Sequence, residues 1–165
     1  MYLALTTTCF LALLLTSCSR FQVSDQAISV SKSDLRPAAL MNWQMLEGKW
    51  YSSEPIPDGG IREQIIERFD DGTFRKLFRI HQTGTLFSDF IETGQWGISG
   101  DIYFSIFRGP IIDSRFRPVD LGNPYNYDAF HVIFLSSERF EYEHVTSRNK
   151  SVSWKVPADF TFGSN

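Results

Sequence analysis

Cysteine is nearly missing from this chain. Cys9 and Cys18 are the two among 165 residues, and both precede Arg20. No disulfide can therefore staple the later sequence, and no cysteine cluster can hold zinc. Histidine is scarce as well. His81, His131 and His144 fall on three different expected strands, with none of the close spacing of a helical metal site. The net charge is only −3, with both signs mixed along the chain, so there is no basic patch of the kind that binds nucleic acid. No Gly-x-Ser-x-Gly elbow surrounds any serine, and no glycine-rich loop leads into a helix to cradle a phosphate. Catalysis, a resident cofactor and a metal are accordingly not expected. After Leu46 no segment of useful length has helical periodicity, which argues against any alternation of parallel strands and helices.

What is present is apolar and aromatic. Hydrophobic residues make up 42% and aromatics 15%, enough to build a core in one domain. Residues 9–15 form an apolar run too short to span a bilayer but suited to a secretory signal. Leu15-Thr16-Ser17-Cys18 then reads as a bacterial lipobox, in which Cys18 is diacylated on sulfur and becomes the new N-terminus. The plainer alternative is an ordinary signal peptide that happens to contain a cysteine. The segment before residue 9 holds no Lys or Arg, so the amino terminus alone supplies its positive charge or the true start lies upstream. Ser19 after the cysteine fits export to the outer membrane. The expected organisation is a signal over 1–17, a lipidated cysteine and Ser-rich tether over 18–39, and one folded domain over 40–165. Several acyl chains, each worth about 0.8 kcal/mol per buried CH₂, would anchor that domain to the membrane.

From residue 49 onward the pattern is one strand after another. Strands are expected over about 49–53, 61–69, 73–82, 88–98, 102–107, 128–135, 139–146 and 151–156, after one or two helical turns at 40–46. Asp71-Gly72 between alternating runs is a strong hairpin signal. A two-residue turn there pairs Glu67 with Lys76 and Ile65 with Phe78, and turns that face inward. Alternation further assigns Phe74, Phe78 and Ile80, then Ile102, Phe104 and Ile106, then Phe130, Val132 and Phe134, then Val152, Trp154 and Val156 to the interior. The flanking turns set Ile91 and Trp96 at conflicting parity, which requires a β-bulge within 88–95, near Gly94 if glycine marks it. Eight strands joined mostly by tight turns predict an antiparallel up-and-down barrel.

Gly48 and Trp50 at the start of this meander, then Asp71-Gly72-Thr73-Phe74, then Gly94-Gln95-Trp96-Gly97-Ile98 before Gly100-Asp101, resemble the bacterial lipocalin-like (calycin) domains. The resemblance covers about residues 40–160. It implies an eight-stranded barrel whose base is built on Gly48 and Trp50, with Trp43 and Leu46 closing that end. It also implies a basic residue late in the chain lying over Trp50, for which Arg148 and Lys155 are the candidates. A small apolar ligand or lipid in the barrel is the function it implies. A barrel filled by its own side chains, serving as an envelope protein–protein interaction module, is the alternative.

The candidate ligand-binding residues are Glu67, Lys76, Phe78, Trp96, Phe104, Phe130, Tyr142 and His144. Glu67 and Lys76 would form a polar anchor between apolar neighbours, unless they are a surface cross-strand pair on a face read the wrong way round. His144 shares a face with Phe140 and Tyr142 and reads more readily as a hydrogen-bonded wall residue than as a ligand. Residues 108–127 interrupt the tight meander with Pro110, Pro118 and Pro124. Loops this long often act as lids. Arg115, Phe116, Arg117, Tyr125 and Tyr127 are the candidate lid, and a short extra strand at 111–116 is the other reading.

Overall fold

The computed structural model describes residues 37–57, 59–82 and 85–163, with the backbone alone for 37–40 and 85–88. The expected signal, Cys18 and most of the expected tether lie outside the described residues. Helix α1 (Pro37–Leu46) leads into nine strands: β1 (Gly48–Pro55), β2 (Ile61–Arg68), β3 (Thr73–Gln82), β4 (Thr85–Ser99), β5 (Ile102–Ile112), β6 (Arg115–Phe116), β7 (Tyr127–Leu135), β8 (Arg139–His144) and β9 (Lys150–Lys155). Each long strand pairs antiparallel with the next, β9 returns to β1, and β4 pairs with β5, so eight strands close into an up-and-down barrel. Two-residue β6 is an appendage on the far end of β5.

The closed end is built on Trp50. It is fully buried, its indole N–H donates to the Leu46 carbonyl at 3.0 Å, and Phe140 meets it edge-on at 6.2 Å. Helix α1 caps this end by stacking Trp43 on Trp96, ring centroids 4.2 Å apart. Lys155 fills the place implied for a basic residue, with Nζ 4.8 Å from the Trp50 ring centroid. Arg148 is instead a turn residue at positive φ, paired with Glu143.

The β2–β3 hairpin corrects the expected register. Phe69 N–H donates to the Thr73 carbonyl across Asp70-Asp71-Gly72, a three-residue loop with Gly72 at φ 82° in the left-handed region. The Asp71 carboxylate accepts from the Thr73 amide and hydroxyl at 2.8 and 2.7 Å and holds the turn. One extra loop residue slips the pairing by one position: Glu67 faces Arg75, Gln64 faces Phe78, and Arg68 faces Phe74. Arg68 thus turns inward and Glu67 outward. Lys76 still faces in, as expected, but its carboxylate partner is Glu92 at 3.2 Å.

Three other face assignments are corrected. On β5, Tyr103 and Ser105 are buried, while Phe104 lies outside over Gly97, where a Cβ would come within 2.3 Å of its ring. On β9, Ser153 is inside and Trp154 is half exposed, with the Arg139 guanidinium 5.4 Å from its ring centroid. On β7 the register shifts between Val132 and Phe134, so Phe134 turns out and Leu135 packs on the core. On β5 and β9 the cause is volume. Trp96, Phe140 and Tyr142 fill so much of a small barrel that their cross-strand partners inside are Ser105, Ser153 and Ser151. Apolar alternation on β5 and β9 was therefore a property of their outer faces.

The parity conflict on β4 resolves at its start. Ile80 pairs with Ser88 but His81 with Leu86, which leaves residue 87 as an extra backbone position just ahead of the expected range. A second shift falls at Thr93/Gly94, with the extra residue, Arg108, on the neighbouring strand β5. Gly94 itself is pressed between Phe74 and the Ile106 carbonyl, where no side chain would fit.

Candidate functional site

The barrel interior has two unlike halves. Next to α1 it is packed with Leu46, Trp50, Ile66, Phe74, Trp96, Ile98 and Phe140. Towards the other end the inward positions of the same strands turn polar, because Glu54, Arg62, Gln64 and Lys76 replace the aromatics. These side chains, with Arg68, Tyr103, Ser105, Asp128, Phe130, Tyr142 and Ser151, line a cavity of about 160 Å³.

Its charges are mostly neutralised in pairs. Arg62 holds Glu54 at 2.7 Å and Lys76 holds Glu92 at 3.2 Å, with the Lys76 ammonium also 4.6 Å from the Phe78 ring centroid. Asp128 faces His144 at 3.3 Å. Arg68 differs. It is only 2% exposed, and its Nε and Nη2 both donate to the Tyr103 hydroxyl at 3.2 Å. Its guanidinium carbon lies 4.9 Å from the Tyr103 ring centroid and 5.6 Å from that of Phe140. Its Nη1 has no hydrogen-bond partner among the described residues. Beside it, burial pushes the Tyr142 phenol above its ordinary pKa, and the Arg68 charge only partly offsets this. Burial first, and Arg68 second, hold the Lys155 ammonium below its ordinary value.

Of the residues expected to bind a ligand, Lys76, Phe78, Phe130 and Tyr142 do meet at this cavity. Trp96 lies in the packed end instead, stacked under Trp43. Glu67 and Phe104 lie on the outer wall. His144 is a wall residue: its ring packs edge-on against Phe130, and its Nδ1 accepts the Thr146 and Ser147 amides of the following turn. The five candidate lid residues do not line the cavity. Asp113 and Ser114, both at positive φ, form a tight turn that folds Arg115 and Phe116 back onto Ile111 and Ile112, and Tyr125 is 91% exposed. Arg68, Tyr103, Gln64 and Ser105 were missed. The signal for Arg68 lay in the hairpin, where a glycine in the third loop position marks a three-residue turn as readily as the second half of a two-residue one.

On the outer wall, residues 157–163 fold back over β1–β3. Phe160 packs on Tyr51 at 5.4 Å, Arg79 covers Phe162 at 4.5 Å, and Lys49 donates to the Phe160 carbonyl at 3.2 Å. This tail explains why Ile65, which points away from the lumen, is only 3% exposed.

An eight-stranded antiparallel barrel, plugged by an N-terminal helix at one end and holding a polar cavity towards the other, is a lipocalin-like architecture. No family model matches the chain, and no curated protein matches it. Among solved structures it is similar to a lipocalin-like protein from Bacteroides uniformis ATCC 8492, at 21% identity and a TM-score of 0.40, over 68% of this chain and 99% of that one.

Proposed function

We propose that this chain is a lipid-anchored, non-catalytic binding barrel of the bacterial envelope, tethered to the outer membrane through acylated Cys18 and holding a small ligand by its polar end. The observation that carries the binding reading is the cavity lined by Gln64, Arg68, Tyr103 and Tyr142 above a floor of packed aromatics. A site of about 160 Å³ with charged walls suits a polar head group better than an entire buried acyl chain. Native mass spectrometry of the full-length chain, purified in mild detergent, tests it. A small-molecule adduct that leaves on denaturation supports the reading. A bare protein mass that no added small molecule shifts would overturn it.

A packed interaction module is the second reading, favoured by the aromatic filling and by a volume below the roughly 300–1,000 Å³ of drug-sized pockets. In that case in-cell cross-linking yields a stoichiometric envelope protein and the purified chain carries no adduct.

A further inference from the structure

We propose a second site, on the outer wall of the barrel: an open groove across β3, β4 and β5 takes a phosphate ester, whose oxygens lie between the guanidinium groups of Arg75 and Arg108. The lumen takes no part in it, so this goes beyond the binding reading above. The groove measures about 430 Å³, within the roughly 300–1,000 Å³ of small-ligand sites. A backbone irregularity shapes it. The register of β4 against β5 shifts between Thr93 and Gly94, and the extra residue on β5 is Arg108. A bulge of this kind re-aims a side chain, here into the groove. The floor is Phe74 and Gly94, which close tightly on one another: a Cβ at 94 would stand 2.5 Å from the Phe74 ring.

No carboxylate lines this groove. Arg75 is exposed and Arg108 half-buried, and neither guanidinium makes a hydrogen bond or ion pair among the described residues. Other arginines of the barrel are taken up by acids: Arg79 by Asp89, Arg62 by Glu54 and Arg139 by Glu141. Two carboxylates stand close in the sheet without entering the groove. Glu67, the Cα partner of Arg75 on β2, lines the next groove, which Arg75 also borders, but the two make no ion pair. Asp71 is occupied by the Thr73 amide and hydroxyl. The Thr93 hydroxyl donates to the Gly109 carbonyl at 3.0 Å, so the side-chain donors left to the groove are the two guanidinium groups and the exposed Gln95 amide. Each guanidinium is a planar fork matched to two oxygens, and two forks from different strands outnumber the oxygens of one carboxylate. A phosphate has enough for both. Phe69, 39% exposed on the same lining, gives the organic part of the ester an apolar contact. The groove lies beside the end that α1 caps, since the Trp96 amide donates to the Gly72 carbonyl at 2.8 Å and Trp43 stands against Gly72. The chain enters the barrel at that end, so an anchor at Cys18 would bring membrane phosphate near this wall. A lipid head group is one source of the phosphate and a soluble ester is the other.

Calorimetric titration of the full-length chain in non-ionic detergent tests this with glycerol phosphate, glycerate and dihexanoyl phosphatidylglycerol. The better of the two phosphates should bind at least about tenfold more tightly than glycerate, which carries a carboxylate on a similar frame. Arg75→Gln and Arg108→Gln should each lose about tenfold in that affinity while melting as wild type does. Should Arg108→Gln disturb the bulge, Arg75→Gln at its exposed position carries the test alone. Glu67→Gln removes the carboxylate that competes for Arg75 and should tighten binding by about threefold. Phosphatidylglycerol binding more than about tenfold tighter than glycerol phosphate identifies a lipid head group as the source, and similar affinities identify a soluble ester. Glycerate binding as well as the phosphates, failure of both phosphates to bind, or unchanged affinity in the arginine variants would each overturn the site. The lumen is judged separately, by the adduct in native mass spectrometry, so this site can fail while the binding reading stands.

Discussion

Lys155 ties the last strand to the first: its ammonium sits 4.8 Å from the centre of the Trp50 ring and donates to the carbonyls of Met45, at 3.2 Å, and Glu47. Those carbonyls stand at the end of α1, where backbone acceptors lack helical partners. One side chain thereby joins β9, the barrel base and the plug helix. Lys155→Met should cost about 1–2 kcal/mol at neutral pH, from the lost cation–π contact and the exposed acceptors. The pH dependence has a definite sign. The folded-state pKa is lowered, so approaching 10.5 from below the unfolded chain holds its proton longer than the barrel does. Wild-type stability gains from this group as pH rises through that window, and the Met variant should lack the gain. Urea midpoints at pH 7 and pH 9.5 for both proteins give the comparison.

Trp50 is the larger test of the same base. It has no exposed surface, and Leu46, Phe140 and Lys155 are arranged around it. Trp50→Ala should destabilise by about 3–5 kcal/mol, the range for deleting a buried aromatic. An unchanged melting temperature would mean that the base does not depend on this ring.

The β2–β3 hairpin depends on Gly72. Its φ of 82° is strained for any side chain, and a Cβ there would stand 3.4 Å from the Trp43 ring. Gly72→Ala should therefore cost about 1–2 kcal/mol. Gly100→Ala, at a positive φ of 63° in open space, isolates the backbone part of that cost. A larger loss at 72 than at 100 would assign the excess to the Trp43 contact.

Fold class was legible because it depends on period and spacing. Eight alternating runs with turn residues between them leave few arrangements other than a closed meander, and the Gly48-x-Trp50 start located its base. Facing was legible on strands bounded by unambiguous features, such as β3 with Phe74 and Phe78. It failed on β5 and β9, because in a barrel this small the inward residues opposite Trp96 and Phe140 must be small, and Ser105 and Ser153 read as outward. The site was half legible for a related reason. Lys76, Phe78, Phe130 and Tyr142 follow from alternation alone, whereas Arg68 depends on whether a turn has two residues or three. That choice was decided by Asp71 capping Thr73, an interaction that the Asp-Asp-Gly sequence permits without requiring.

Membrane attachment can be tested apart from the barrel. Cys18→Ala should abolish labelling with palmitate and move the protein from the membrane fraction to the soluble one. The melting temperature of the barrel should not change. A variant that still fractionates with outer membranes and still takes up label would show that Leu15-Thr16-Ser17-Cys18 is not a lipidation signal.

Tyr142 links the interior to alkaline pH. Its ring is stacked on Phe140 at 4.5 Å and meets Phe130 edge-on, and burial raises its pKa above 10.0 because a phenolate would be poorly solvated there. Above pH 10.0 the unfolded chain loses this proton first while the barrel keeps it. Stability from this group is thus fully present below 10.0 and is lost as pH rises towards the folded-state value. Tyr142→Phe keeps the ring and removes the titrating group, so at neutral pH it should cost only about 1 kcal/mol. Its stability should fall less steeply than that of wild type between pH 10 and pH 11.5. Parallel slopes for the two proteins across that range would show that the phenol is not held neutral in the core.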